Sequence, residues 1–306
     1  MKNSIRLKIQ RRDKMKTVLT VDSGICPILR EDTVVIPAQI ISDTMDTYRD
    51  NGKEITNREM LESQNGYRTS APLMGDFEDT FRSLLESGVD VVHLSMSSGI
   101  SEGSVNISQL VANICNEKYS NQVYVVDSLT GATGGTLLYE LVYRKLLTSN
   151  LSGRELCSAL ESLKKRIQTS FYVPDASGYV RSGRDRSSSH LVDHALSWST
   201  RLANLTSLKF RVDFHENGDL YLKKIFRSSS RNGMLQMVKD IVNDRTMDSY
   251  DSQLAVIGNL YQKDVDMEKI RIYLAQYFDQ VLEQEIGAVV AAYGCPDLCG
   301  LALVKK

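Results

Sequence analysis

Val91–Gln109 reads VVHLSMSSGISEGSVNISQ, and the fold class turns on how this stretch divides. Val89–Met96 is an apolar run of strand length, whereas Ile107, Leu110, Val111 and Ile114 recur at helical spacing. A buried strand therefore runs into a helix. Between them lie Ser95, Ser97, Ser98 and Ser101, with Gly99 and Gly103. A strand-to-helix connection needs one capping side chain. Four hydroxyls are a surplus, and the surplus asks for a ligand or a partner.

The same alternation extends to both sides. Upstream, Thr17–Val21 and Thr33–Ile36 read as short strands, the first ending in Asp22-Ser23-Gly24 and the second stopped by Pro37. Phe77, Phe81, Leu84 and Leu85 mark a helix that Gly88 ends. Downstream, Gln122–Val126 is a strand ending in Asp127-Ser128, and Leu137, Leu138, Leu141, Val142 and Leu146 form a helical stripe. Ser152 and Glu155 make a capping box for a helix continued by Leu156, Leu160, Leu163 and Ile167. This βαβα order predicts a parallel sheet covered by helices.

Beyond that the pattern changes. Tyr179–Ser189 is polar and basic. Phe210, Val212 and Phe214 alternate, Asn217-Gly218 is a hairpin turn signal, and Leu220 and Leu222 alternate again. A long amphipathic helix is predicted over Asp264–Leu282 and a closing strand over Ile286–Ala292. The reading is an α/β protein of two domains: 1–170 with a parallel sheet, and 171–306 of α+β type with an antiparallel component.

Composition agrees. The 306 residues exceed one ordinary core and suit two domains of about 150 residues each. The formal net charge of −1 gives no general attraction to nucleic acid or to an anionic membrane. No apolar run approaches the roughly 18 residues of a membrane span, and the basic N-terminus, MKNSIRLKIQRRDKMK, has no apolar signal core behind it. It is read as a solvated arm or a β-strand. The five cysteines, Cys26, Cys115, Cys157, Cys295 and Cys299, are odd in number and mostly dispersed, which fits a reducing cytoplasm. Cys295 and Cys299 flank Pro-Asp-Leu, but no second pair completes the about four ligands of zinc.

In a parallel α/β sheet, ligands sit beyond the carboxyl ends of the strands. Asp22-Ser23, the Ser95–Ser101 loop and Asp127-Ser128 all fall there, with Arg68-Thr69-Ser70 just before the Phe77 helix. Helix capping explains any one of these loops. Several at one sheet edge point to an anionic oxygen ligand, a carboxylate among them. The chain has no G-x-x-x-x-G-K-[ST], G-x-G-x-x-G or G-x-S-x-G motif, and Thr130–Thr136 (TGATGGT) reads as a helix-starting turn. Of the four histidines, His93 lies in an apolar strand and reads as a satisfied core residue. His190 and His194 are four apart without the glutamate of a zinc protease, and His215 stands alone. No base is apparent beside Ser97, Ser98 or Ser101, so catalysis finds little support in the sequence.

Taken in order, these segments resemble the DegV family of bacterial fatty-acid-binding proteins. VLTVDSG at Val18–Gly24 is similar to the family's opening strand and Asp-Ser turn. VVIPAQIISD at Val34–Asp43, followed by Tyr48-Arg49-Asp50, is similar to the next strand and its Tyr-x-Asp sequel. RTSAP at Arg68–Pro72 resembles a Thr-Ser-Gln-Pro segment, and LSMSSGISEGS at Leu94–Ser104 a Ser-Ser-x-Leu-Ser-Gly-Thr loop. VYVVDS at Val123–Ser128 matches a further strand, YVRSGR at Tyr179–Arg184 a Leu-x-x-Gly-Gly-Arg element, and YGCPDLCG at Tyr293–Gly300 a His-x-Gly-Pro turn. The departures are Ala71 for Gln, Ser101-Glu102-Gly103 for Ser-Gly-Thr, Ser182 for the first Gly, and Tyr293 for His.

The resemblance implies the DegV two-domain fold and a long-chain fatty acid buried whole, its carboxylate held between the domains. Burying a C16 tail gains on the order of 11 kcal/mol before ordering costs, at about 0.8 kcal/mol per methylene. The head group needs donors, because an unpaired buried carboxylate is costly. Thr69, Ser98 and Ser101 are assigned to the carboxylate or to waters near it, with Ser70 and Ser97 as alternates. Arg184 and Arg227 are placed near the mouth by the resemblance, and Tyr293 takes the place of the family histidine. No cofactor is implied beyond the fatty-acid ligand. The partners implied are that fatty acid and a fatty-acid kinase subunit to which some relatives present it, with no nucleic acid and at most transient contact with a membrane surface. A serine-dependent lipid hydrolase or acyltransferase using the Ser97–Ser101 loop is the alternative, and a lipid-state sensor a third reading.

Overall fold

The computed structural model describes residues 16–25, 30, 32–175, 208–243 and 249–306, the Ser230 side chain excepted. The basic N-terminal arm, Cys26, the Tyr179–Ser189 stretch, His190 and His194 lie outside the described residues.

The chain opens with β1 (Thr17–Asp22) and β2 (Val34–Ile36), then β3 (Gln39–Ser42), β4 (Thr47–Arg49), α1 (Asn57–Glu62) and β5 (Tyr67–Ser70). It continues through α2 (Met74–Glu86), β6 (Asp90–Ser95), α3 (Ser98–Asn116), β7 (Val123–Asp127), α4 (Ala132–Ser149) and α5 (Gly153–Lys164). The opening stretch thus divides into β6 and α3, as its two periodicities require. Strands β2-β1-β6-β7 form a parallel sheet in that order. Its strands are apolar towards both faces, and each face has its own layer of helices. Phe77, Phe81 and Leu84 of α2 and Val111 and Cys115 of α3 pack on Val18, Val91 and Val123. Leu138 and Val142 of α4 and Leu156 and Leu160 of α5 pack on Leu19, Val92, Leu94 and Val126. The Ser152–Glu155 capping box is present, and Gly88 has the left-handed φ of +82° that a residue following α2 needs.

Strands β4-β3-β5 make a small antiparallel sheet that the hydrophobic pattern had not separated from loop. The remaining elements are β8 (Ile167–Val173), β9 (Leu208–Phe214), β10 (Leu220–Arg227), α6 (Ser230–Asn243), β11 (Leu254–Asn259), α7 (Met267–Leu274), β12 (Gln280–Glu285), α8 (Ala288–Ala291) and β13 (Cys299–Val304). The second sheet has the order β10-β9-β8-β13-β11-β12, antiparallel throughout except for the β11–β12 pair. Helices α6 and α7 cover one face through Met234, Met237, Ile241, Ile270 and Leu274. Helix α4 meets the other face, where Leu137 packs on Leu254, Val256, Ala302 and Val304. Packed on two sides, α4 is buried along most of its first three turns, Thr133, Thr136 and Glu140 included.

Two expectations are corrected. The helix predicted over Asp264–Leu282 is helical only from Met267 to Leu274; Val281 and Leu282 belong to β12, paired in parallel with β11. The strand predicted over Ile286–Ala292 is instead the single turn α8, entered from extended Gly287, and β13 closes the sheet. A short apolar run buried on all sides carries no period by which to tell strand from helix. Strand β8 begins at Ile167 and spans the boundary expected at 170.

Candidate functional site

The serines of the opening stretch hold different things. Asp22, at the end of β1, accepts hydrogen bonds from Ser95 Oγ (2.8 Å), Ser104 Oγ (2.6 Å) and the Met96 N–H (2.9 Å). His93 Nε2 lies 3.2 Å from its other oxygen, and His93 Nδ1 lies 3.0 Å from Thr20 Oγ1. Burial alone would push the Asp22 carboxyl up, but His93 and the hydrogen bonds hold it below the ordinary aspartate value. His93 is fully buried with its ring edge-on to Phe77 and Phe81, so it is a satisfied core residue.

Ser97 caps α3 by accepting from the Gly99 N–H, and its hydroxyl donates to the Gly218 carbonyl at 2.7 Å. Gly218 is at the tip of the β9–β10 hairpin, which therefore docks on the start of α3. The fit depends on two glycines. A Cβ at Gly99 would lie 2.6 Å from the Asp219 nitrogen, and Gly218 combines a φ of +85° with contact against Ser97 Oγ. The Ser98 N–H donates to Asp127 at 3.2 Å. At Ser101 the helix is interrupted, with φ −136° and ψ 71°, and this residue faces a cavity.

That cavity, of about 230 Å³, lies where the parallel sheet, the hairpin and α8 meet. Its apolar wall includes Met96, Ile100, Phe171, Val173, Val212, Phe214, Leu220, Val289 and Val290. Thr69, Ser70, Ser101 and Tyr293 supply hydroxyls, and the exposed Asp175 also borders it. Tyr293 reaches across from α8 to β5: its hydroxyl is 2.9 Å from Thr69 Oγ1 and accepts the Thr69 N–H at 3.0 Å.

Of the residues singled out in the sequence, Thr69, Ser70, Ser101 and Tyr293 are brought together at this cavity. Ser97 and Ser98 are not among its described lining; the first is turned to the hairpin and the second starts α3. Arg227 is exposed at the far end of β10 from Leu220, about 23 Å along the strand, so it does not sit at the cavity as expected. The hairpin runs away from the cavity before reaching it. Arg184 lies outside the described residues. For the apolar wall the sequence carries the Phe210-Val212-Phe214 and Leu220-Leu222 alternations, and alternation does not say what a face meets. Among the described residues no three His, Cys, Asp or Glu side chains group to hold a metal ion. No described helix is long and apolar enough to cross a membrane.

Solved structures share this architecture. A fatty-acid-binding DegV family protein from Thermus thermophilus matches with a TM-score of 0.76 at 22% identity, covering 95% of this chain and 100% of that one. A stearic-acid-binding protein from Eubacterium ventriosum matches at 0.74 and 23%, covering 94% and 98%. The Streptococcus pneumoniae fatty acid kinase (Fak) B3 protein, loaded with linoleic acid, matches at 0.75 and 18%, covering 95% and 100%. By sequence, the DegV domain-containing protein YteA of Lactococcus lactis is 31% identical over 118 residues, 38% of this chain and 40% of that protein. The match to the DegV family, described as uncharacterised proteins, runs from residue 16 to residue 306, and the chain belongs to that family.

Proposed function

We propose that this protein binds one long-chain fatty acid, with the acyl chain in the cavity and the carboxylate at its hydroxyl-bearing end. The observation that carries the reading is that Thr69, Ser70, Ser101 and Tyr293 line one cavity whose wall is otherwise mainly apolar. A carboxylate there finds O–H donors while the chain leaves water. The fatty acids bound by the similar proteins support the same ligand class. A cavity of about 230 Å³ is below the roughly 300–1,000 Å³ of drug-sized pockets, so a long chain enters with displacement of a wall. The β9–β10 hairpin, which contributes Phe214 and Leu220, is that wall.

On this reading the protein is a carrier that presents the carboxylate to another protein, and the fatty acid kinase subunit among its structural relatives makes a kinase the partner to test. Hydrolysis is not part of the reading: Ser97 donates to Gly218, and neither described histidine hydrogen-bonds to Ser97, Ser98 or Ser101. Native mass spectrometry of protein from lipid-replete cells should show one fatty acid per chain, lost on denaturation. Reproducibly bare protein that also fails to take up palmitate or oleate would overturn the proposal. Turnover of an acyl ester that disappears in Ser98→Ala or Ser101→Ala would put an enzyme in its place.

A further inference from the structure

A second cavity, of about 220 Å³, lies on the opposite face of the six-stranded sheet, between β8–β9–β10, Ile241 of α6 and Lys305. Its chemistry is unlike that of the first. Arg211 and Asp213, side chains 8% and 7% exposed, stand two apart on β9 and pair in bidentate fashion at 2.9 and 2.7 Å. Lys223 and Lys305 also line it and form no ion pair among the described residues. With the Arg211 charge matched by Asp213, the two ammonium charges have no acidic partner among the described residues. Neutral donors complete the lining: Tyr221, whose ring lies 5.8 Å from Lys223 Nζ, and Gln168, which accepts from Tyr250 Oη at 2.9 Å.

The backbone makes this concentration of charge. The β9–β10 register shifts between Leu222 and Lys224, so that Lys224 comes opposite Arg211 and pairs with Asp240 of α6. The irregularity lets Tyr221, Lys223 and Lys224 all serve the α6 side of the strand. A buried ion pair adds little stability over apolar residues of the same volume. Its place here is better explained as a floor. Asp213 holds the guanidinium fixed, and the two lysines supply the net charge.

We propose that this cavity binds a small, doubly charged oxyanion, a phosphate or a dicarboxylate. A guanidinium fixed by its carboxylate, with two lysines in the same lining, matches such a ligand. The proposal does not rest on the fatty-acid reading, although the two cavities share Phe214.

Titration of the full chain with inorganic phosphate at ionic strength held constant with sodium chloride tests it, read by calorimetry and by thermal midpoint. Saturable binding is expected, weakened about tenfold or more in the Lys223→Gln/Lys305→Gln double variant. Lys239→Ala, a lysine set over Tyr273 on α6, is the control and should bind as wild type. Succinate in a parallel arm separates the sources: phosphate alone binding assigns a phosphoryl ligand, and equal binding assigns dianions generally. Lys223 is exposed and Lys305 half-buried, and an unchanged circular dichroism melt of the double variant certifies its fold; if it melts early, the single Lys223→Gln variant carries the comparison. No saturable binding of either anion to wild type, or unchanged affinity in the folded variant, overturns the proposal.

Discussion

At the 2.9 Å contact between Tyr293 Oη and Thr69 Oγ1, a phenol hydroxyl stands where the resemblance given above implies an imidazole. Tyr293→Phe removes a neutral donor and should weaken fatty-acid binding by roughly 0.5–1.5 kcal/mol in calorimetric titration. Tyr293→His should keep binding but introduce a dependence on pH between about 5.5 and 7.5. Affinity unchanged in both variants across that range would remove Tyr293 from the head-group end. Asp22 makes a different prediction. Its carboxyl is held below the ordinary aspartate value in the folded protein, so its stabilisation is complete above about pH 3.9 and is lost as pH falls through the folded value. Asp22→Asn, which turns an amide group towards the Ser95, Ser104 and Met96 donors, should cost roughly 1–3 kcal/mol at neutral pH and flatten the acid side of the stability profile measured by urea unfolding. Four of the residues chosen from sequence, Thr69, Ser70, Ser101 and Tyr293, do meet at the cavity. The others were not separable beforehand, because a loop hydroxyl's direction depends on contacts such as Ser97 with Gly218, which are 121 residues apart.

Elements were legible where one period ran for several turns. The α2 and α3 stripes and the β9–β10 alternation show in the structure as read. Elements failed where burial removed the period, as at α8, or where the turn between helix and strand carries no glycine or proline to mark it, as at 275–279 between α7 and β12. The small β4-β3-β5 sheet has strands of three or four residues, too short to alternate visibly. The contact of hairpin tip with α3 rests on Gly99 and Gly218. Gly218→Ala should cost about 1–2 kcal/mol for its left-handed backbone alone, before any displacement of Ser97. Hydrogen exchange should then show faster exchange across Phe214–Leu220 than in wild type; an unaltered pattern would mean the tip does not need the glycine.

For the molecule as a whole, α4 is the shared element. Leu138 and Val142 complete the core of the parallel sheet, and Leu137 completes that of the six-stranded sheet. Truncation at either side should therefore unfold both. Leu137→Ala should cost about 2–5 kcal/mol and leave a single cooperative transition by tyrosine fluorescence and circular dichroism. Two separated transitions would show that the halves fold independently. In the sequence this helix shows one stripe, Leu137, Leu138, Leu141, Val142 and Leu146, and a stripe does not tell that its members divide between two sheets. The partner strands β11 and β13 begin more than 100 residues after its end.

The hairpin also bears on time rather than equilibrium. Its tip is fastened to α3 by one side-chain hydrogen bond, Ser97 to Gly218, whereas its apolar side chains, Phe214 and Leu220, belong to the cavity wall. How long an occupant stays is then governed by how often the fastening opens, and how tightly it is held by the wall and the hydroxyls. The two properties are carried by different atoms. Ser97→Ala should shorten residence time in a stopped-flow displacement assay far more than it raises the dissociation constant, because uptake and release quicken together. Such a separation lets a carrier hand over a tightly held cargo without first evolving a weaker grip.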